Sequence, residues 1–224
     1  MDMNCQSCLH RRQGKGLFSC LSCDAIDRVD ENRIGRNFKA GQTLFLEGDE
    51  PFGIYCLQSG LVKLEAFSPD GGAQLLRLAR PGEPLGYRAH LSRAPQQYRA
   101  TALTNVHVCA IPEKFLQELR QEEASFSQSL IQKLAQDLQQ AEHRWLGLLQ
   151  KTSEQRVADI LLEFYRAEEG WPSRKDMAQL VDMAPETFTR VLARFEKREW
   201  VFRTRTKLKL LQPQQLEKLL VDHL

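Results

Sequence analysis

Between Glu113 and Leu146 the chain contains neither glycine nor proline, the two residues that most often interrupt a helix. Within and just beyond this stretch Ile131, Leu134, Leu138, Ala141, Trp145 and Leu148 recur at alternating steps of three and four. That is the a/d spacing of a two-helix seam. The residues around them, Gln132, Lys133, Gln136, Asp137 and Glu142 among them, are polar. The apolar stripe is therefore narrow, which suits a partner helix better than a globular core. No seam position is charged, so nothing local opposes pairing. The reading is a dimerisation helix over 113–151.

The segment before it has a different period. From Ile34 to Ile111, stretches such as "TLFLEGD", "GIYCLQSG" and "AQLLRLARPGE" alternate apolar and polar residues. Gly48-Asp49, Ser59-Gly60 and Pro69-Asp70-Gly71-Gly72 stand between them as turn signals. Regular short strands punctuated in this way predict an antiparallel barrel or jelly roll. Pro112 ends the last strand.

The segment after Thr152 is helical again. Ser153-Glu154 opens a helix with Val157, Ile160, Leu161 and Phe164 on one face, and Gly170-Trp171-Pro172 breaks it. Ser173 reads as an N-cap with Asp176 three residues on, and Pro185 takes the first position of the next helix. Two short helices about a tight turn form a helix-turn-helix. On the second, Phe188, Val191, Leu192 and Phe195 form the buried side. Glu186, Thr189 and Arg190 fall opposite, near the N-terminus, where a recognition helix meets base edges. Arginine pairs with guanine O6 and N7, and glutamate accepts from cytosine N4. Arg174, Lys175 and Arg194 supply further cationic candidates, and "FRTRTKLKL" reads as a basic wing beside the helix. Between Trp171 and Leu211, ten basic residues stand against five acidic ones. Such a local excess suits phosphate binding, although the whole chain carries only +2.

Four of the six cysteines lie near the start, as Cys5-x-x-Cys8 and Cys20-x-x-Cys23. The first residues hold no apolar leader and no stretch is long enough to span a membrane, which predicts a cytoplasmic protein. Thiols stay reduced there, so metal binding or redox chemistry is expected rather than a structural disulfide. Two Cys-x-x-Cys pairs are also a zinc signature, since four thiolates close a tetrahedral site. A thiol–disulfide switch without metal is a third possibility. A dithiol oxidoreductase would need a βαβ setting, which the surrounding sequence lacks. The chain is therefore read as a non-enzyme.

With "GQTLFLEGDE", "GIYCLQSG" and "PETFTRVLARFE" in place, the sequence from about Phe38 to Leu211 resembles the Crp–Fnr family of bacterial transcription regulators. The resemblance implies an α+β fold: an N-terminal antiparallel β-roll of the cyclic-nucleotide-binding, jelly-roll type, a long dimerisation helix and a C-terminal winged helix-turn-helix. The expected divisions are a cysteine-rich arm over 1–26, a β-roll over 27–112, the helix over 113–151 and the DNA-binding domain over 152–224. It implies a homodimer on double-stranded DNA, with contacts to RNA polymerase. Relatives commonly read DNA through Glu-x-x-Ser-Arg; here Glu186-x-x-Thr189-Arg190 implies a palindrome with TTGAT-like half-sites. Asp182 stands where the turn usually carries glycine, and Ala184 is a poor cap.

The family's cyclic-AMP site resembles a Gly-Glu turn followed by an Arg-Ser pair. Here Gly86 is followed by Tyr87, and "APQQYRATAL" offers Arg99 but no Arg-Ser. No cyclic nucleotide is expected. Haem needs axial ligands, and His90 and His107 are isolated. The Fnr subgroup holds an oxygen-labile 4Fe–4S cluster with three N-terminal cysteines and one internal. "HVCAIPEKF" places Cys109 at the internal position. The resemblance thus implies Cys5, Cys8, Cys20 and Cys109 as ligands, with Cys23 as the alternative and oxygen, nitric oxide or redox state as the signal. Cys56 is read as a small buried strand residue.

Overall fold

The computed structural model describes residues 14, 16–68, 72–166, 171–204 and 208–221. Cys5, Cys8 and the turn residues Pro69 to Gly71 lie outside them. The chain forms two compact units, Met1–Leu138 and Gln139–Leu224.

The first unit is built on two antiparallel sheets of four strands. One runs in the order β1 (Ile34–Phe38), β8 (Val106–Pro112), β3 (Gly53–Ser59), β6 (Pro84–Leu85). The other runs β2 (Thr43–Phe45), β7 (Arg99–Ala102), β4 (Val62–Phe67), β5 (Ala73–Ala79). The period-two pattern read from the sequence has its cause here. Leu57, Val108 and Ala110 of the first sheet meet Val62, Leu64, Ala100 and Ala102 of the second in one core. Alternate residues of the first sheet, Ile54 and Ile111, face the other way. They are covered by α1 (Cys23–Asn32), α2 (Tyr87–Ser92), α3 (Glu113–Glu122) and the start of α4 (Ala124–Gln150), through Ile26, Val29, Tyr87, Leu116, Leu119 and Phe126. Strands β3 and β8 are thus buried on both faces. At the tight turn after β3, Gly60 has φ 86°, and a Cβ there would come within 2.3 Å of the Asn105 carbonyl oxygen. That turn requires glycine.

Three sequence expectations change. The helix expected over 113–151 is two helices, broken at Glu123, whose backbone is extended (φ −116°, ψ 93°). The Glu123 carbonyl then accepts from the Phe126 N–H at 3.0 Å and starts α4. The division at residue 26 falls inside α1, which Ser22 caps by accepting from the Ala25 N–H. Asp137, read as part of a solvated polar face, is buried at 7% exposure.

The second unit contains α5 (Ser153–Arg166), α6 (Arg174–Leu180), α7 (Pro185–Lys197), the hairpin β9 (Val201–Arg203) and β10 (Leu208–Leu210), and α8 (Pro213–Val221). Its core joins Val157, Leu161 and Phe164 of α5 to Phe188, Leu192 and Phe195 of α7 and Leu216 of α8. Helix α5 opens at Ser153, as read from the sequence, and Thr152 caps it. Gln155 N–H donates to Thr152 Oγ1 (3.3 Å) and Thr152 N–H donates to Gln155 Oε1 (2.9 Å), a reciprocal capping box. Gln155 also donates to the Leu219 carbonyl at 3.0 Å, so one buried amide fixes both the start of α5 and α8.

Candidate functional site

The reading surface is assembled by α6, its turn and α7. Ser173 caps α6 by accepting from the Asp176 N–H at 3.1 Å. Asp182 holds the left-handed conformation (φ 49°) that the turn needs. Arg156 of α5 donates to the carbonyls of Val181 (2.9 Å) and Asp182 (3.3 Å), tying the turn to the core. Ala184 gives α7 no side-chain cap; Pro185 and Glu186 open the helix instead. With Phe188, Val191, Leu192 and Phe195 buried, Glu186 and Arg190 are exposed and Thr189 is half-buried between them. Arg190 Nη2 donates to Thr187 Oγ1 at 3.2 Å, an exposed contact with a neutral hydroxyl rather than a carboxylate.

The other cationic candidates divide. Lys175 is exposed, whereas Arg174 donates to the Thr204 carbonyl beyond β9 and braces the wing against α6. Arg194 points back into its own domain: its Nε lies 2.6 Å from Glu154 Oε1, and Arg198 Nη1 lies 3.0 Å from Glu154 Oε2. Glu154 is a residue that sequence reading missed as an anchor of the reading helix. It is forty residues from Arg194, and no local pattern signals the pairing.

The described cysteines form two groups. Cys20 and Cys23 are exposed where the N-terminal arm enters α1. Cys20 Sγ lies 3.4 Å from the Ser125 carbonyl oxygen in the first turn of α4, and Phe18 stacks on Phe126 beside it (5.3 Å). Cys109 is buried in β8, with Arg33 Nη1 at 3.9 Å from its sulfur; Arg33 is the C-cap of α1. Cys56, expected to be a plain core residue, is half-buried and stands directly opposite Cys109 on β3. Among the described residues no three His, Cys, Asp or Glu side chains come together as metal ligands. The donor chemistry of Cys20 and Cys23 suits one half of a thiolate site. Cys109 is not beside them.

In the β-roll, Gly86 (φ 78°) begins α2, and the buried Tyr87 donates its hydroxyl to Asp137 of α4. Arg88 Nη2 (2.9 Å) and Lys133 Nζ (2.7 Å) bond the same carboxylate. Burial opposes ionisation of Asp137, but the donors Lys133, Tyr87 and Arg88 outweigh it and hold the carboxyl at about 2. Burial and the bond to Asp137 push Tyr87 up to about 12. Arg99 is engaged by Glu65 (2.8 Å), which also binds Lys63 (2.7 Å). His90 is buried against Glu113 at 2.5 Å, and His107 bonds Asn37 at 2.8 Å. The seam residues Ile131, Leu134, Leu138, Ala141, Trp145 and Leu148 are all exposed on α4, with Leu146 and Leu149 adding apolar surface beside them.

A cyclic nucleotide-binding domain matches residues 35–123, and a Crp-like helix-turn-helix domain matches residues 155–219. The transcriptional activator protein Anr of Pseudomonas protegens is 28% identical over 208 residues, covering 88% of this chain and 84% of that protein. A CRP-like cAMP-activated global transcriptional regulator of Mycobacterium tuberculosis is 27% identical over 196 residues, 83% of this chain and 88% of that one. The crystal structure of a CRP/FNR-family transcriptional regulator from Thermus thermophilus superposes with a TM-score of 0.70 at 26% identity, over 85% of this chain and 100% of that chain. None of the described helices is long and apolar enough to cross a membrane. Two antiparallel four-stranded sheets, a helix with an apolar face and a winged reading helix in this order make one assignment: the chain belongs to the Crp–Fnr family of DNA-binding transcription regulators, which are not enzymes.

Proposed function

We propose that this protein is a cytoplasmic, homodimeric regulator that senses oxygen, nitric oxide or redox state through a 4Fe–4S cluster on its N-terminal cysteines. The observation that carries the reading is the position of Cys20. Its sulfur touches the first turn of α4, the helix that bears the exposed apolar stripe, so a change in its ligation would be passed to the proposed dimer contact. Cys5, Cys8 and Cys20 would hold the cluster, with the fourth thiolate from Cys109 as the family resemblance implies, or from the neighbouring Cys23. The cluster would supply an oxidant-labile centre. This chain's residues would hold it against α4, and α4 would set how two protomers present Glu186, Thr189 and Arg190 to a palindrome with TTGAT-like half-sites. RNA polymerase is the expected further partner. Cyclic nucleotides are not: Tyr87 is turned to Asp137 and Arg99 to Glu65.

A second reading rests on the exposure of Cys20 and Cys23 together at one end of α1. With Cys5 and Cys8 they would make a closed zinc site. Anaerobic purification followed by iron, sulfide and zinc analysis separates the two. Equal iron and sulfide, with visible absorbance that bleaches in air, supports the cluster; colourless protein with bound zinc overturns it. Loss of iron in Cys109→Ala but not Cys23→Ala assigns the internal ligand, and the reverse result assigns Cys23.

A further inference from the structure

Strands β3 and β8 pair antiparallel with Cys56 directly opposite Cys109. Opposed residues of such a pair project from the same face, with Cα atoms about 4.5 or 5.5 Å apart according to their place in the ladder. Either spacing lies inside the roughly 4.4–6.8 Å window that a disulfide spans. The neighbouring pair on that face, Ile54 and Ile111, is packed beneath the helices, which fixes the direction in which both thiols point. On its other flank Cys109 faces Gly35 of β1, which has no side chain. Arg33 covers it from above. The lateral side-chain neighbour of the Cys109 sulfur is therefore Cys56.

We propose that Cys56 and Cys109 are a cross-strand dithiol, a modification site that a peroxide closes to a disulfide. Cys56, the more exposed of the two, is the point of entry. Transfer of one peroxide oxygen to Cys56 Sγ gives a sulfenic acid and releases water. Cys109 Sγ then attacks that sulfur, the S–O bond breaks, the S–S bond forms and a second water leaves. Two thiols are oxidised, one peroxide is reduced and two waters are the products. The strands are already hydrogen-bonded neighbours, so closure needs little backbone movement. If Cys109 is also the internal metal ligand, closure would block metal reloading until the disulfide is reduced. That consequence rests on the proposed function; the dithiol itself does not.

The test uses the full chain stripped of metal, treated with hydrogen peroxide under limiting conditions, alkylated and digested without reductant. The expected result is a linked pair of peptides containing Cys56 and Cys109, lighter by two hydrogens than their sum, which a reductant separates. Cys56→Ala should leave Cys109 alkylatable after the same treatment, with the circular dichroism of the wild type. Separate alkylated Cys56 and Cys109 peptides from the treated wild type would overturn the proposal, as would Cys109 linked to an N-terminal cysteine. Because the wild-type mapping needs no variant, it decides the matter even where Cys56→Ala fails to fold.

Discussion

The Tyr87 hydroxyl donates to the Asp137 carboxylate, joining a residue at the start of the short helix α2 to one midway along α4, fifty positions away. Tyr87 is fully buried and Asp137 nearly so, and Arg88 and Lys133 complete the donors around the carboxylate. A buried carboxylate is tolerated only when its oxygens are satisfied in this way. The cluster fixes where α4 lies on the β-roll within the first unit.

The cluster has a pH signature. The Asp137 carboxyl is lowered from 3.8 to about 2 in the fold. A depressed carboxylate contributes stability that is fully present above the unfolded value and lost as pH falls through the folded one. The wild type should therefore lose about 2 kcal/mol between roughly pH 4 and pH 2 from this group. Urea unfolding of wild type and Asp137→Asn across that range checks it: the gap between them should be widest at neutral pH and should close as the acid end is approached.

Arg190→Ala should cost about 1–3 kcal/mol on the palindrome and relax discrimination at the base it contacts. Lys175→Ala should weaken binding to all sequences alike. Arg194→Ala should leave discrimination unchanged and act on the domain instead, because Glu154 holds that guanidinium. Titration of each variant on matched and mismatched duplexes separates the three outcomes.

Leu138→Asp should dissociate the dimer by more than about tenfold, since burying an unpaired carboxylate in an apolar seam costs several kcal/mol. Gln140→Asp, on the polar side of the same helix, should not. Sedimentation equilibrium of the two variants is the measurement, and a dimeric Leu138→Asp would remove α4 as the seam.

Thr152→Ala should lower stability by about 1 kcal/mol and the Tm of the second unit by a few degrees, because the Gln155 N–H loses its capping partner. Ser153→Ala, at the first helical residue, should be nearly neutral. Thermal unfolding followed by circular dichroism distinguishes them.

Much of this architecture is legible in the sequence because its signals are local. Gly60 marks a turn that admits no side chain, the seam spacing marks the exposed face of α4, and Pro185 marks the start of the reading helix. What escaped is set by contacts distant in the chain. Asp137 looks like any polar residue of an amphipathic helix until Tyr87 arrives from α2. The break at Glu123 carries no glycine or proline to announce it. Ser153-Glu154 marks where α5 opens, but the cap at Thr152 shows only once Gln155 is seen to reach back to it. The second internal thiol is legible as a residue but not as a neighbour, because only the register of β3 on β8 sets Cys56 against Cys109.

The two guanidiniums on Glu154 also alter how strongly salt will govern this protein's grip on DNA. Each phosphate neutralised by a free cation releases condensed counterions, and the logarithm of affinity falls with the logarithm of salt in proportion to their number. Arg194 and Arg198 share Glu154, and Arg203 is held by Glu196 at 2.7 Å. These three already have a carboxylate for company, and Glu154 lies outside the count of ten basic against five acidic residues, so a duplex approaching the reading helix would meet a weaker cationic field than that count gives. On the proposed reading, salt should therefore weaken DNA binding less steeply than ten unpaired cations would require, leaving a larger share to the fit of Glu186, Thr189 and Arg190.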